Sequence, residues 1–260
     1  MTSKTVAIIT GANQGIGFAS AKLLATEHKD DYTVILAGRR KEAIEEAAAK
    51  LTAQGLPVES LVLDVTSDDS IAAAVKEVET KYGRLDVLVN NAAISTLGNP
   101  SDKSEGLSPE ARARREWNAV LNTNVTSVAA VTDAFLPLLK KSVGTNGPKR
   151  IVFVSSTLAS IGYKTDPKAA THPNLSPTSP YTTSKAALNM LAMHYAVQFE
   201  KDEHNWKINL TCPGYCATGL NQFSGYDTPD NGAINTVRLA TLDFDGEAAT
   251  FTNRQGPIPW

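Results

Sequence analysis

Cysteine is scarce in this 260-residue chain: only Cys212 and Cys216 occur, both in TCPGYCATG. Two thiols are too few for a disulfide framework or for a structural zinc, so no metal is expected and both read as small, half-buried side chains. Charge of one sign is lacking too. With 25 basic against 27 acidic residues the formal net charge is −2, which offers nucleic acid or an anionic membrane no strong field. A small, neutral or weakly charged molecule is the better partner. No unbroken apolar run of about 18 residues occurs, so hydropathy gives no spanning helix. MTSK passes straight into TVAIIT and leaves no room for a signal peptide, so a cytoplasmic location is expected.

What is present is an alternation. The short apolar runs 5–10, 32–38, 58–64, 86–92, 150–156 and 206–212 have the composition of strands buried on both faces. Helical stripes lie between them: Ile71, Val75, Val78 and Tyr82 on one segment, Leu188, Leu191, Tyr195 and Phe199 on another. Strand and helix in strict alternation imply right-handed crossovers and an α/β, doubly wound parallel sheet. Six strands are expected, with a short seventh near 249–253, in a single domain spanning 1–260. One stretch has loop composition, a proline-rich insertion at 162–180, and a further loop, 215–231, follows the sixth strand.

In a sheet of this kind ligands lie beyond the carboxyl ends of the strands. The first such end carries TGANQGIG, placing Gly11, Asn13, Gln14, Gly15, Ile16 and Gly17 in the turn and the opening of the first helix. Gly11 permits the turn, Gly15 lets backbone approach a phosphate and Gly17 lets helix and strand pack closely, a pattern that fits a dinucleotide. The second strand ends in AGRRKEA. Gly38 stands where an acidic residue would bind a ribose 2′-hydroxyl, and Arg39 and Arg40 follow; guanidinium groups hold a 2′-phosphate, so NADP(H) is the expected cofactor.

The segment 179–188 reads SPYTTSKAAL, with Tyr181 and Lys185 at i and i+4 on one helical face. A phenol is a poor acid or base at a pKa of about 10. A lysine ammonium at ~4 Å attracts the phenolate by ~4 kcal/mol at an effective dielectric of ~20, which draws Tyr181 toward a useful range.

The motifs TGANQGIG, LDV, NNAA, TNVTS, VSS, YTTSK and CPGYCAT occur in the order found in the short-chain dehydrogenase/reductase family, which the chain resembles over essentially its whole length. CPGY, the 228–242 segment and GPIPW are similar to its carbonyl-reductase-like branch. The resemblance implies a Rossmann fold and a hydride-transferring oxidoreductase, here an NADPH-dependent reductase of ketones or aldehydes. It implies Tyr181 as acid/base, Ser156 as the group orienting the carbonyl oxygen, Lys185 as partner of both Tyr181 and the nicotinamide ribose, and Asn124 as holder of a relay water. For the cofactor it implies Asp64 and Val65 at the adenine, Asn91, Ala92 and Ala93 beside the fourth strand, and Pro213, Gly214 and Thr218 near the nicotinamide. It assigns Asn90 to tying the central strands together, and Ser155 reads as structural. Ala93 replaces the family's usual glycine, and Gln14 stands where many NADP-preferring relatives carry a basic residue.

Tyr215, Phe223 and Tyr226 are either the lining of a substrate pocket or exposed loop aromatics, and His172 either approaches the site or is solvated. The 24 residues between Ser156 and Tyr181 exceed what is usual in the family and favour a monomer, with a homo-oligomer the alternative. An NAD-dependent alcohol dehydrogenase, an imine-reducing tailoring enzyme and a non-catalytic NADP sensor remain open.

Overall fold

The computed structural model describes residues 4–95, 106–142, 147–169, 179–202 and 205–260. Its first half runs β1 (Thr5–Thr10), α1 (Gly15–Glu27), β2 (Tyr32–Gly38), α2 (Lys41–Thr52), β3 (Val58–Val62), α3 (Asp68–Tyr82) and β4 (Val87–Asn90). Then come α4 (Pro109–Leu121), a π-helical turn (Asn122–Thr126), α5 (Ser127–Lys140), β5 (Lys149–Val154), a 3-10 turn (Thr157–Ala159) and α6 (Ile161–Thr165). The chain closes with α7 (Ser179–Gln198), β6 (Trp206–Thr211), α8 (Pro229–Ala240), β7 (Phe251–Asn253) and β8 (Gly256–Pro257).

The strands form one sheet in the order β3-β2-β1-β4-β5-β6-β7-β8. β1 to β7 are parallel and β8 pairs antiparallel with β7, from Thr252 opposite Pro257 to Asn253 opposite Gly256. The sheet therefore has eight strands where six to seven were expected. A two-residue strand carries no periodicity to read. Side chains alternate across each strand, so Val6 and Ile8 of β1 join the core beneath α3, α5 and α7, while Ala7 and Ile9 face α1, α2 and α8. Ile71, Val78, Leu188, Tyr195 and Phe199 are buried in the first of these cores, and Val75, Tyr82 and Leu191 pack against it half-buried.

Helix starts follow capping chemistry. Ser67, Ser108 and Thr228 each accept a backbone N–H bond at the first turn of α3, α4 and α8, and proline follows the cap in the last two. The segment read as loop from 162 opens instead in α6, which Ser160 caps by accepting from Tyr163 N. Residues 170–178 of that insertion, His172 included, lie outside the described residues, and its last two, Ser179 and Pro180, open α7.

Strand order reverses between β1 and β4, which opens the crevice where this architecture binds ligands.

Candidate active site

The turn after β1 and the segment after β4 meet at that crevice. Gly11 has φ +65°, a backbone that L side chains rarely adopt, and a Cβ there would lie 2.9 Å from Ala92 Cα. Gly17 is closed in differently: a Cβ on it would come within 2.5 Å of Asn91 Nδ2 and 2.7 Å of Gly11 O. Asn91 Nδ2 donates to Thr10 O (2.8 Å), and Thr10 Oγ1 accepts from the Asn91 and Ala92 backbone N–H groups (both 3.0 Å). These bonds lock β1 to β4 at their carboxyl ends. Asn90 does not make that tie: its Nδ2 donates to Thr132 Oγ1 (3.0 Å), joining β4 to α5. Thr10, which the sequence reading passed over, carries the link in its place.

Helix α1 opens without a side-chain cap at Gln14 and without an acidic residue in its first turn. Its leading N–H groups therefore face the crevice uncompensated, with the positive end of the helix dipole behind them. Over this turn, a Cβ at Gly15 would meet only Thr218, at 3.4 Å. Asn13 and Ile16 are half-buried beside it and Gln14 is exposed. This cradle of small residues and free donors fits a pyrophosphate. At the end of β2, a Cβ on Gly38 would sit 3.2 Å from Ile44 Cδ1, so the position is tight even for alanine. Arg39 and Arg40 project into solvent and make no ion pair among the described residues. Asp64 Oδ1 accepts from Thr66 N (2.9 Å) and Thr66 Oγ1 (2.7 Å) just past β3, and Val65 packs against the core.

The reactive side chains come from three elements. β5 stops at Val154, leaving Ser155 and Ser156 beyond it. Ser155 Oγ donates to Asn189 Oδ1 on α7 (2.5 Å) and is buried, a structural contact as expected. Ser156 caps the 3-10 turn, accepting from Leu158 N (3.2 Å), and its hydroxyl acts on the phenol of Tyr181. Helix α7 includes Ser179 and Pro180 and presents Tyr181 and Lys185 one turn apart. Lys185 Nζ donates to Val154 O (2.8 Å) and stands 5.7 Å from the centre of the Tyr181 ring.

Burial pushes the Tyr181 phenol well above its ordinary range, the Cys212 sulfur adds to this, and the Ser156 hydroxyl pulls the other way. Burial also pushes the Lys185 amine down, to about 8. The expected pull of Lys185 on Tyr181 is thus outweighed in the protein alone, because desolvation disfavours both charged forms. Tyr181 is held protonated.

Asn124 is fully buried in the π turn between α4 and α5, a distortion that recurs at functional sites. Its Oδ1 accepts from Ile94 N (2.9 Å) while its Nδ2 donates to Ile94 O (2.9 Å) and Ser184 Oγ (3.0 Å). Ser184 Oγ in turn donates to Tyr181 O (2.7 Å). Asn122 lies in the same turn but takes no part in this network. Ala93 and Ile94 are half-buried beside it.

Family comparison decides the class. The model of the short chain dehydrogenase family matches residues 5–228. The chain belongs to the short-chain dehydrogenase/reductase family. This oxidoreductase is 37% identical to the short-chain dehydrogenase anuI of Penicillium roqueforti, over 92% of this chain and 89% of that protein. It is 29% identical to carbonyl reductase (NADPH) 1 of Mus musculus, over 100% and 99%. Among solved structures, salutaridine reductase of Papaver somniferum superposes with a TM-score of 0.76 at 27% identity, covering 95% of this chain and 99% of that one.

At the end of β6 this family member places Pro213 and Gly214 (φ +86°) in a turn. Thr218 begins a second 3-10 turn, its N–H donating to Asn221 Oδ1 (3.1 Å). Both cysteines are free and more deeply buried than expected. Cys212 Sγ accepts from Thr157 N (3.1 Å) and Gly214 N (3.4 Å), bridging the segments that follow β5 and β6. Nothing in the sequence around Cys212 marked it as a neighbour of the reactive pair, and although Ser184 stands next to Lys185, its link to Asn124 joins distant segments that no local pattern connects.

Proposed function

We propose that this short-chain dehydrogenase/reductase reduces ketone or aldehyde carbonyls with NADPH, using Tyr181 as the acid. The observation that carries the reading is the convergence of Tyr181, Ser156 and Lys185 at the carboxyl end of β5, where Lys185 Nζ donates to Val154 O and stands 5.7 Å from the centre of the Tyr181 ring. When bound, the nicotinamide supplies the hydride. The substrate carbonyl oxygen accepts hydrogen bonds from Ser156 and Tyr181, which orient it and offset the charge developing on it. Tyr181 then gives its proton to that oxygen, and the Lys185 ammonium stabilises the phenolate left behind. Both N–H groups of Asn124 Nδ2 are engaged, leaving one lone pair of Oδ1 for a relay water that resupplies the proton.

Gly11, Gly15, Gly17 and the open end of α1 would hold the pyrophosphate, Asp64 and Val65 the adenine, Asn91 to Ala93 the adjoining ribose, and Pro213, Gly214 and Thr218 the carboxamide. Preference for NADP(H) rests on Arg39 and Arg40 beside Gly38, with support from the NADPH-named carbonyl reductase among the relatives. A cytoplasmic setting is in keeping with two free thiols.

The test is oxidation of NADPH and of NADH by a panel of quinones, diketones, keto esters and aldehydes, in the native protein and in Arg39→Asp. Loss of charge-assisted bonds to a 2′-phosphate should cut the NADPH preference by about 10–100-fold. An unchanged ratio would remove the cofactor argument, and faster turnover with NADH and alcohols would favour the dehydrogenase reading.

A further inference from the structure

We propose that Asn189 is a positioning residue for the reactive pair: its bond to Ser155 is the stop that sets where helix α7 stands along β5, and so where Tyr181 and Lys185 meet Ser156. The effect on turnover rests on the reductase reading above; the stop itself rests on the geometry of α7 and β5.

Tyr181, Lys185 and Asn189 follow one another at intervals of four residues, so the three share one face of α7. Three consecutive residues where β5 ends meet them. Val154 O accepts from Lys185 Nζ (2.8 Å), Ser155 Oγ donates to Asn189 Oδ1 (2.5 Å), and the Ser156 hydroxyl acts on the Tyr181 phenol.

The two bonds made by Lys185 and Asn189 are unequal as anchors. A lysine ammonium rides on a flexible four-carbon stem, so it follows its helix and still finds the carbonyl. Asparagine and serine are short and have no such slack. Ser155 is itself fixed, its N–H donating to Thr211 O (2.7 Å) on β6. A helix rises ~1.5 Å per residue, so a slide of α7 by one such step would take Asn189 Oδ1 out of hydrogen-bond range of Ser155. Leu188, Ala192 and Tyr195 bury α7 against the core, but apolar contact is non-directional and resists a slide less sharply. Ser184 is bonded to Asn124 (3.0 Å) and Tyr195 to Asp133 Oδ1 (2.7 Å); these tie α7 to the π turn and to α5, and neither reaches β5.

The identity of residue 189 points the same way. Asn189 is 6% exposed in the middle of a helix, beside the buried Leu188 and Ala192. Asparagine is a poorer helix former than leucine, and a buried amide is costly unless hydrogen-bonded. An apolar side chain would serve packing better, so what asparagine adds here is the directed bond. Two turns separate it from Tyr181, ~12 Å along the axis, so it acts through the helix and not by contact with the reacting atoms.

The test uses Asn189→Leu, the double variant Ser155→Ala with Asn189→Leu, and Asn189→Asp. Leucine is close to asparagine in volume, and removing both partners orphans no hydroxyl, so the double variant should melt close to the native temperature. Lys185 is followed by NMR of its ε-carbon through a pH titration of the cofactor-free protein; Tyr181 and Cys212, the titratable groups beside it, are both raised by burial. The native amine should titrate at about 8. In the double variant, where α7 can slide and water can reach the amine, the midpoint should rise by ~0.5 or more toward the ordinary ~10.4. A contact that served stability alone would leave that midpoint where it is. With NADPH and the carbonyl panel, kcat should fall about tenfold or more in Asn189→Leu and in the double variant while KM for NADPH stays within about twofold. Asn189→Asp keeps an oxygen acceptor for Ser155 and should hold kcat near native. An unmoved Lys185 midpoint in the double variant would overturn the inference, as would undiminished kcat there or an Asn189→Asp variant as slow as Asn189→Leu. Should the native protein oxidise NADPH with no carbonyl at all, the reductase reading falls, and the Lys185 midpoint alone decides the stop.

Discussion

At the scale of the residue, the site is governed by desolvation. Lys185 is buried against Val154 O, and its amine is pushed down to about 8. The unfolded chain holds that proton up to about 10.4. Between these limits the unfolded state binds more protons than the native one, so this group makes stability rise with pH from about 8 upward. Tyr181 and Cys212, both raised by burial, act in the opposite sense once their unfolded counterparts ionise. Comparison with Lys185→Met isolates the lysine: the native protein should gain stability on the variant between pH 8 and 9, measured by urea unfolding. Equal slopes would mean that Lys185 is not held neutral. The same titration predicts that kcat/KM for carbonyl reduction falls as pH rises through about 8, where the ammonium that stabilises the phenolate is lost. Tyr181 and Lys185 were legible because their i, i+4 spacing is a local property. Their electrostatic balance was not, because it depends on Val154, Ser156 and Cys212, which lie on other strands and turns.

At the scale of the element, the glycine turn, the start of α1 and the end of β4 behave as one unit. Gly17 is its tightest point, with Asn91 and Gly11 both inside contact distance of a missing Cβ. Gly17→Ala should cost ~1–3 kcal/mol through overpacking, lower the melting temperature by several degrees and weaken NADPH binding at least tenfold. Calorimetry with a cofactor titration checks both effects, and an alanine variant of native stability and affinity would show that the turn yields more easily than its geometry implies. Spaced glycines after an apolar strand are readable in sequence; the bonds that Thr10 makes to Asn91 and Ala92 are not, since a threonine closing a strand has no distinctive neighbours. The Asn124 π turn was equally invisible, because the helical pattern of 109–140 runs through it without a break.

At the scale of the whole molecule, the alternation of strands and helices was enough to give the doubly wound sheet, and its order puts the β1/β4 reversal where the glycine turn and the Asn91 segment meet. The seventh strand was legible near 249–253 and β8 beyond it was the part least visible, being held by tertiary contact: Ile258 is buried, Ser160 Oγ donates to Pro259 O (2.5 Å), and Gly162 N donates to Trp260 O (2.6 Å). These bonds hold the segment after Ser156, while Arg254 holds Asp227 at the far end of the aromatic loop (2.9 Å). One edge of the sheet thus steadies both segments that lead away from the site. In the function proposed above, this scaffold supports Tyr181 as it delivers a proton to a carbonyl oxygen. The most direct test of that delivery compares native protein with Tyr181→Phe for NADPH affinity and for carbonyl-dependent NADPH oxidation. Unchanged affinity with turnover reduced about 10²–10⁴-fold is the predicted result. Turnover that survives the loss of the phenolic hydroxyl would contradict it.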